Sequence, residues 1–77
     1  MKTVKVNLNS VDKVQSFNQV VRKYDGDCDL SWGRYVVDAK SIVGIFTLNL
    51  AENLLLTING DGADELMKDI KPFTISA

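Results

Sequence analysis

Residues 28–37 read CDLSWGRYVV and predict a β-hairpin. In the first half, Cys28, Leu30 and Trp32 alternate with polar residues, and this period of two is typical of a strand with one buried face. A Gly-Arg pair then makes a tight turn, and the Tyr-Val-Val run beyond it supplies the second strand. The hairpin therefore indicates an antiparallel sheet built around the middle of the chain.

Alternating residues predict one further strand towards each end of the chain. The first covers Thr3 to Leu8, where Val4 and Val6 face one side and Lys5 faces the other. The other covers residues 54–58, whose first, third and fifth positions are apolar and are expected to face inward. Four amphipathic strands are thus predicted in all.

A helix is predicted between the first strand and the hairpin. Asn9 or Ser10 can cap it, and Asp12 lies three residues after Asn9, which makes an imperfect capping box. Apolar residues then recur every three or four positions, as on the buried stripe of an amphipathic helix; they are Val11, Val14, Phe17, Val21 and Tyr24.

A second, shorter apolar segment follows the hairpin and covers residues 42–50. Ser41 is well placed to cap it as a helix. Because positions three and four apart share a helix face, Ile42 and Phe46 are expected to point together and to be at least partly exposed, with Ile45 and Leu48 inward.

The last helix is expected to begin in the glycine-rich loop at residues 59–62 and to end before Pro72. Its apolar stripe consists of Ala63, Leu66, Met67 and Ile70. No element is predicted for the tail from Phe73 to Ala77. The order β-α-β-β-α-β-α predicts a single α+β domain over residues 1–77, an open-faced two-layer sandwich whose four-stranded antiparallel sheet carries the helices on one face.

Charge and hydropathy argue against two classes of partner. The chain has nine basic and ten acidic side chains, a net charge of −1, and no long run of either sign. Direct binding of nucleic acid, which needs a concentrated basic surface, is therefore not expected. The apolar runs are too short to span a bilayer, so the sequence predicts no membrane insertion and a cytoplasmic protein.

Side chains that carry chemistry are scarce. The sequence has no histidine and one cysteine, Cys28, which is in phase with apolar neighbours and is expected to be a buried, inert thiol. Asp25, Asp27 and Asp29 lack the spacing of a calcium loop and are interpreted as a solvated acidic edge. No metal or other cofactor is expected, and nothing assembles a base with a nucleophile as an enzyme requires.

The order of elements and the local sequence resemble the HPr family, the phosphocarrier proteins of the sugar phosphotransferase system. Lys40-Ser41-Ile42-Val43-Gly44 is similar to the Lys-Ser-Ile-x-Gly signature of the family. Residues 23–65 run alongside the family without a gap, and Gly62-Ala63-Asp64-Glu65 resembles the family's entry into the last helix. The resemblance covers most of the chain and implies the HPr fold.

The chain departs from the family in the loop between the first strand and the first helix. There the family carries a histidine that accepts phosphate, followed by an arginine and a proline. This loop reads Leu8-Asn9-Ser10-Val11-Asp12-Lys13, with none of the three. Ser10 falls near the lost phosphohistidine, but a hydroxyl without a neighbouring base is not a phosphoryl relay. The nearest precedent is the subgroup of catabolite-repression HPr proteins, which lack the histidine but keep the arginine and proline.

The resemblance implies two candidate functional features around the second helix. Ser41 matches the serine that an HPr kinase phosphorylates in Gram-positive members, and helix capping alone would also explain it. Ile42, Val43 and Phe46 match the family's apolar docking patch. The partners so implied are proteins: an HPr kinase, permease components or a transcription regulator.

Two interpretations of function remain open. The first is a non-catalytic HPr-like regulatory or adaptor protein related to the bacterial sugar phosphotransferase system, with regulation at Ser41. The alternative is a divergent HPr-fold domain for protein interaction or dimerisation, unconnected with sugar transport. Either a monomer or a homodimer is compatible with both.

Overall fold

A computed structural model describes residues 1–75 of the chain. In chain order its elements are β1 (Lys2–Val6), α1 (Val11–Arg22), β2 (Cys28–Trp32), β3 (Tyr35–Asp38), α2 (Ile42–Ile45), β4 (Leu54–Ile58), α3 (Ala63–Asp69) and a 3-10 turn (Lys71–Phe73).

The four strands form one antiparallel sheet in the order β1-β4-β2-β3, which confirms the predicted fold class. Leu56 lies opposite Val4 on one side and opposite Leu30 on the other, so the apolar positions of neighbouring strands share a face. Lys5 and Leu55, one residue out of phase, are exposed. The sheet therefore has one buried face and one open face, as the alternation in the sequence predicts.

The helices cover the buried face and share one core with it. Phe17, on α1, is the largest side chain that is fully buried. Every helix and strand except β3 contributes a buried residue to the core. β3 contributes the partly buried Val37, and the 3-10 turn contributes the partly buried Phe73. The buried members of the core are Val6, Leu8, Val14, Phe17, Val21, Cys28, Leu30, Ala39, Ile45, Leu48, Leu54, Leu56, Ile58, Leu66 and Ile70.

The hairpin forms as predicted because its turn can adopt the backbone conformation that two-residue connections need. Gly33 has φ +59°, in the left-handed region, where a glycine meets no steric penalty. Space is not the constraint at this position, because no atom lies within 4 Å of where a side chain would begin. The conformation of the turn itself favours glycine.

The beginning of the chain differs from the prediction in three respects. β1 covers Lys2–Val6, and Leu8 is buried beyond its end. Val11, predicted in the buried stripe of α1, is exposed because it is the first helical residue, one turn before Val14 meets the core. Ser10 caps the helix, so no box forms between Asn9 and Asp12.

The second helix is shorter than the predicted segment of residues 42–50, since α2 covers only Ile42–Ile45. Beyond it the backbone tightens: Thr47 N–H bonds to the carbonyl of Gly44, and Leu48 N–H bonds to that of Ile45. The Thr47 hydroxyl also donates to the Gly44 carbonyl at 2.6 Å, and this competes with continuation of the helix.

The tail, for which the sequence predicts no element, is ordered by contacts with the N-terminal half. Asn7 N–H donates to the carbonyl of Phe73, and Ile75 N–H donates to that of Lys5. The ring of Phe73 packs edge-on against Phe17 with centroids 5.6 Å apart. The last two residues of the predicted tail segment, 76 and 77, lie outside the described residues.

Candidate functional site at the start of the second helix

Ser41 begins α2 as its N-cap. Its backbone is extended, and its hydroxyl accepts a hydrogen bond from Gly44 N–H at 3.2 Å. Ser41 N–H in turn donates to the carbonyl of Asp38 at 3.0 Å, which ties the helix start to the end of β3. The side chain is exposed, so its oxygen is at the surface while it performs a capping role.

The segment before Ser41 is anchored to α1 by a buried amide. Asn18 donates from Nδ2 to the carbonyl of Lys40 at 2.9 Å and, more weakly, to that of Ala39 at 3.4 Å. Lys40 Nζ donates to the carbonyl of Tyr24, just beyond the end of α1. Contacts with the first helix and with Tyr24 just beyond it therefore hold the backbone that leads to Ser41.

Asn18 supports this site, and its role is absent from the sequence-based predictions. It is the one buried polar residue among residues 1–75. A signal was available, because Asn18 lies on the same helical stripe as Val14, Phe17 and Val21, where a polar side chain needs a buried partner. Nothing local reveals that the partner is a carbonyl more than 20 residues away.

Gly44 lets α2 approach the sheet closely. A Cβ at this position would lie 3.3 Å from Val37 Cβ and 3.3 Å from Ser41 Oγ, which is tighter than ordinary van der Waals contact. The helix start therefore sits directly over β3. A larger residue at position 44 would push against both the strand and the capping hydroxyl.

The apolar residues of α2 divide into an inward and an outward group. Ile45 and Leu48 are buried, as predicted. Val43 is 74% exposed and Phe46 46% exposed, while Ile42 is partly buried against the core. We call Ile42, Val43 and Phe46 the α2 patch: Val43 and Phe46 are its exposed members, Ile42 is its partly buried member, and the three follow Ser41 on the same short helix start.

Ser10 occupies a different element, the start of α1, and is not bonded to Ser41 in the described part of the chain. Its hydroxyl accepts from Lys13 N–H at 3.1 Å, and its side chain is exposed. Within residues 1–75 no carboxylate is hydrogen-bonded to it, and the sequence supplies no imidazole. Ser10 is therefore a helix cap without the base that a phosphoryl acceptor needs.

The remaining reactive groups do not form a site with these serines. Cys28 is buried, and burial raises the pKa of its thiol to about 11, so it is protonated at neutral pH. In the described range, no group of three His, Cys, Asp or Glu side chains is arranged to hold a metal ion. Asp25 and Asp27 are exposed, and Asp29 is partly buried.

A cleft of about 540 Å³ lies between the end of α1 and the start of α3, away from the α2 patch. Its lining combines one lysine and four carboxylates with Val20, Tyr24, Gly62 and Leu66; the charged members are Lys23, Asp25, Asp61, Glu65 and Asp69. The excess of negative charge disfavours phosphate and other anions there. Over the described residues, none of the helices has the length and apolar character needed to cross a bilayer.

A family model described as the PTS HPr component phosphorylation site matches residues 4–74. The match covers both capping serines, the last three residues of β1 and the whole of the other three strands. The sequence contains no histidine, so the matched region lacks the residue through which an HPr protein carries phosphate.

Solved structures that are named as HPr or as a histidine-containing phosphocarrier protein have the same fold. The structure named HPr-C-His from Thermoanaerobacter tengcongensis superposes with a TM-score of 0.81 at 24% identity, over 94% of this chain and 89% of that one. A phosphocarrier protein HPr from Bacillus anthracis gives 0.74 at 25% identity, over 96% and 94%. A histidine-containing phosphocarrier protein from Mycoplasma gives 0.74 at 12% identity, over 92% and 86%.

Proposed function

This chain belongs to the HPr family, and we propose that it serves there as a non-catalytic regulatory or adaptor protein related to the bacterial sugar phosphotransferase system. In this proposal Ser41 is a phosphorylation site and the α2 patch binds protein partners. The observation that carries it is the pairing of an exposed serine with exposed apolar side chains at one helix start, in a chain without histidine.

Three features of Ser41 support the phosphorylation site. The hydroxyl is exposed at the start of a short helix. Hydrogen bonds made by Asn18 and Lys40 hold the backbone just before it, so a kinase would meet a defined surface. The Lys-Ser-Ile-x-Gly residues around it match the family's serine site. A phosphate would add about −1.5 to −2 charges beside the apolar patch, enough to alter which partners bind there.

The α2 patch has the composition of a protein-binding surface. Aromatic and aliphatic anchors supply most of the energy in protein interfaces, and exposed apolar groups of this kind mark interaction sites. Val43 and Phe46 are exposed while their neighbour Ile45 fills the core, so the patch can be altered without opening the interior. Partners in keeping with the family are an HPr kinase, permease components and a transcription regulator, and the proposal therefore includes a cytoplasmic location.

The missing histidine leads us to expect no phosphate transfer from phosphoenolpyruvate through enzyme I. Incubation with both should leave the chain without acid-labile, base-stable label, whereas an authentic HPr in a parallel reaction becomes labelled. Label of that kind on this chain would contradict a non-catalytic role.

Serine phosphorylation is tested with an HPr-type kinase and ATP, read by mass spectrometry. Wild type should gain one phosphate, Ser41→Ala should gain none, and Ser10→Ala should gain one. The Ser10 variant is a matched control because it removes a capping hydroxyl from the other helix start. If wild type stays unmodified while an authentic HPr is labelled, Ser41 is a cap alone.

The α2 patch is tested by comparing Phe46→Ala with Leu55→Ala. Both side chains are exposed to a similar degree, 46% and 40%, but Leu55 lies on the open face of the sheet, opposite the helices. We expect Phe46→Ala to weaken binding of the kinase by about 2 kcal/mol, with little change in the unfolding midpoint. Leu55→Ala should leave binding intact. Equal binding by both variants would remove Phe46 from the interface.

A further inference from the structure

One edge of the sheet is covered and the other is open. At the β1 edge, Asn7 N–H donates to the carbonyl of Phe73 at 2.9 Å, and Ile75 N–H donates to that of Lys5 at 3.0 Å. At the opposite edge β3 pairs with β2, and no other strand within residues 1–75 lies beside it. β3 therefore presents an unpaired backbone edge.

The backbone N–H and C=O of Val36 point away from the sheet at this edge. Trp32 and Tyr35 lie opposite each other across the two-residue turn. The pair that closes such a hairpin exchanges both of its hydrogen bonds, and bonded and non-bonded pairs then alternate along the strands. Val36, opposite Ser31, is thus in a non-bonded pair, and its N–H and C=O are directed away from β2.

As a sheet edge, β3 is protected by its length of only four residues and by one exposed charge, Asp38. Other common protections are lysine, proline or a bulge. The stretch Tyr35–Asp38 contains neither residue, and its register with β2 is uninterrupted. Val36 is 63% exposed. The exposed ring of Tyr35 stacks on Trp32, with centroids 6.2 Å apart, and so is held beside the strand.

We propose that β3 pairs with β3 of a second copy of this chain, antiparallel and about a two-fold axis through Val36. Val36 then lies opposite its counterpart, and the two exchange both hydrogen bonds. On the helix-covered face Tyr35 lies opposite Val37 of the second copy. Because directly opposite residues of an antiparallel pair share a face, both copies carry their helices on the same side of one eight-stranded sheet.

The charges around β3 favour a second copy over an unrelated strand. Arg34, in the turn just before β3, and Asp38, at the end of β3, lie two residues before and two residues after Val36, so the symmetric register brings the long Arg34 side chain of one copy close to Asp38 of the other at both ends of the pairing. Oδ1 of Asp38 accepts Lys40 N–H at 2.9 Å, which leaves its other oxygen for the guanidinium. Each copy carries both members of the pair, and this is what an isologous interface requires.

The length of the pairing is limited by the turn that leads to α2. The carbonyl of Asp38 accepts Ser41 N–H at 3.0 Å and is not free for a second strand. The strand pairing is therefore confined to β3, Tyr35–Asp38. An interface this short predicts a reversible dimer whose population depends on concentration, and not a permanent one.

Sedimentation of the full chain at rising concentration tests the proposal. The dimer fraction of wild type should increase with concentration, and Val36→Lys, which sets two like charges opposite each other, should raise the dissociation constant about tenfold or more. Leu55→Lys is the matched control, since it adds the same charge to the same open face within β4, an interior strand. It should dimerise like wild type.

A charge swap tests the register. Arg34→Glu should weaken the dimer, and the double variant Arg34→Glu/Asp38→Arg should restore it, because opposite charges again face each other. Circular dichroism of each variant checks that it folds. A wild-type chain that stays monomeric to about 1 mM, or a dimer that survives Val36→Lys, would overturn the proposal. Loss of the dimer in Phe46→Ala alone would assign it to the α2 patch instead. Kinase labelling of Ser41 is read separately, so the proposed function and this interface can fail independently.

Discussion

Ser10 and Ser41 begin two different helices with the same local chemistry. Each has an extended backbone, and each hydroxyl accepts a hydrogen bond from the N–H three residues further on, at 3.1 Å for Ser10 and 3.2 Å for Ser41. Both side chains are exposed. Judged by the cap alone, the two helix starts are equivalent.

Their surroundings differ. The backbone before Ser41 is held by the buried amide of Asn18, and the residues after it form the α2 patch. Ser10 is followed by exposed Val11 and by Asp12 and Lys13, a mixed surface next to an acidic group that would repel a phosphoryl donor. A capping serine is therefore uninformative about function by itself, and the contacts around it separate a structural hydroxyl from a candidate site.

The largest effect on the difference between the two helix starts is expected from removing the hydrogen bond that anchors the backbone before Ser41. Asn18→Leu keeps a side chain of similar size but leaves the Lys40 carbonyl without its donor. A buried polar group deprived of its partner costs about 1–3 kcal/mol, and urea unfolding should show a loss in that range. Hydrogen exchange should also accelerate at Gly44 and Ile45, which depend on the position of the cap.

Gln19→Leu is the control for this prediction. Gln19 is the next residue on α1 and is exposed, so the same substitution there should change the free energy of unfolding by no more than about 0.5 kcal/mol. If Asn18→Leu is equally mild, the Lys40 amine bonded to the Tyr24 carbonyl is sufficient to hold the segment, and Ser41 loses the feature that distinguishes it from Ser10.

A smaller and symmetrical effect is expected at the caps themselves. Ser10→Ala and Ser41→Ala should each lower the free energy of unfolding by about 1 kcal/mol, because each leaves one N–H at a helix start unpaired. Aspartate at either position keeps an acceptor and should recover most of the loss. Urea unfolding of the four variants measures this. A clear inequality between the two alanine variants would show that the caps are not equivalent, and kinase labelling could not then be attributed to context alone.

The part of the fold that the sequence predicts well is the part encoded by local periodicity. The hairpin, the four strands and the inward direction of Ile45 follow from spacings of two, three and four residues. The length of α2 does not, because it depends on a Thr47 hydroxyl bonding back to the helix. Contacts between distant residues leave even less local trace. The tail bonds to β1 through Ile75, and Asn18 bonds to Lys40, at separations that no window of sequence reveals.

In the candidate site, too, some features follow from local sequence and others do not. The exposure of Phe46 follows from helical spacing, and the cap at Ser41 follows from residue type. What these residues bind depends on surfaces of other molecules, which the sequence of this chain does not encode. The Lys-Ser-Ile-x-Gly match supplies the hypothesis that Ser41 is phosphorylated, and labelling by an HPr-type kinase tests it.

The start of α3 has no side-chain cap, so it shows what supports a helix start when no hydroxyl does. Its N-cap is Gly62, at φ +85°. The first turn of the helix is tied to β1 by an ion pair between Lys2 Nζ and Asp64 Oδ1 at 2.9 Å. Hydrogen bonding and charge from Lys2, with a smaller contribution from Lys68, hold the pKa of the Asp64 carboxyl below its ordinary value. Here a surface charge pair supports the helix start in place of a hydroxyl.

The smallest effect is expected from removing this ion pair with Lys2→Gln. Because the pKa of Asp64 is lowered in the folded protein, its contribution to stability is fully present above the unfolded-state pKa, about 4, and is lost as the pH falls through the folded-state value. Wild type should therefore be more stable than Lys2→Gln near neutral pH, and the difference should vanish in acid and in about 1 M salt. Both partners are exposed, so the difference should be smaller than that for either serine cap. Lys5→Gln is the control, since it removes the same charge from the same strand on the opposite face of the sheet. If both variants show the same pH dependence, the effect comes from net charge, and α3 begins without help from any side chain, in full contrast to α1 and α2.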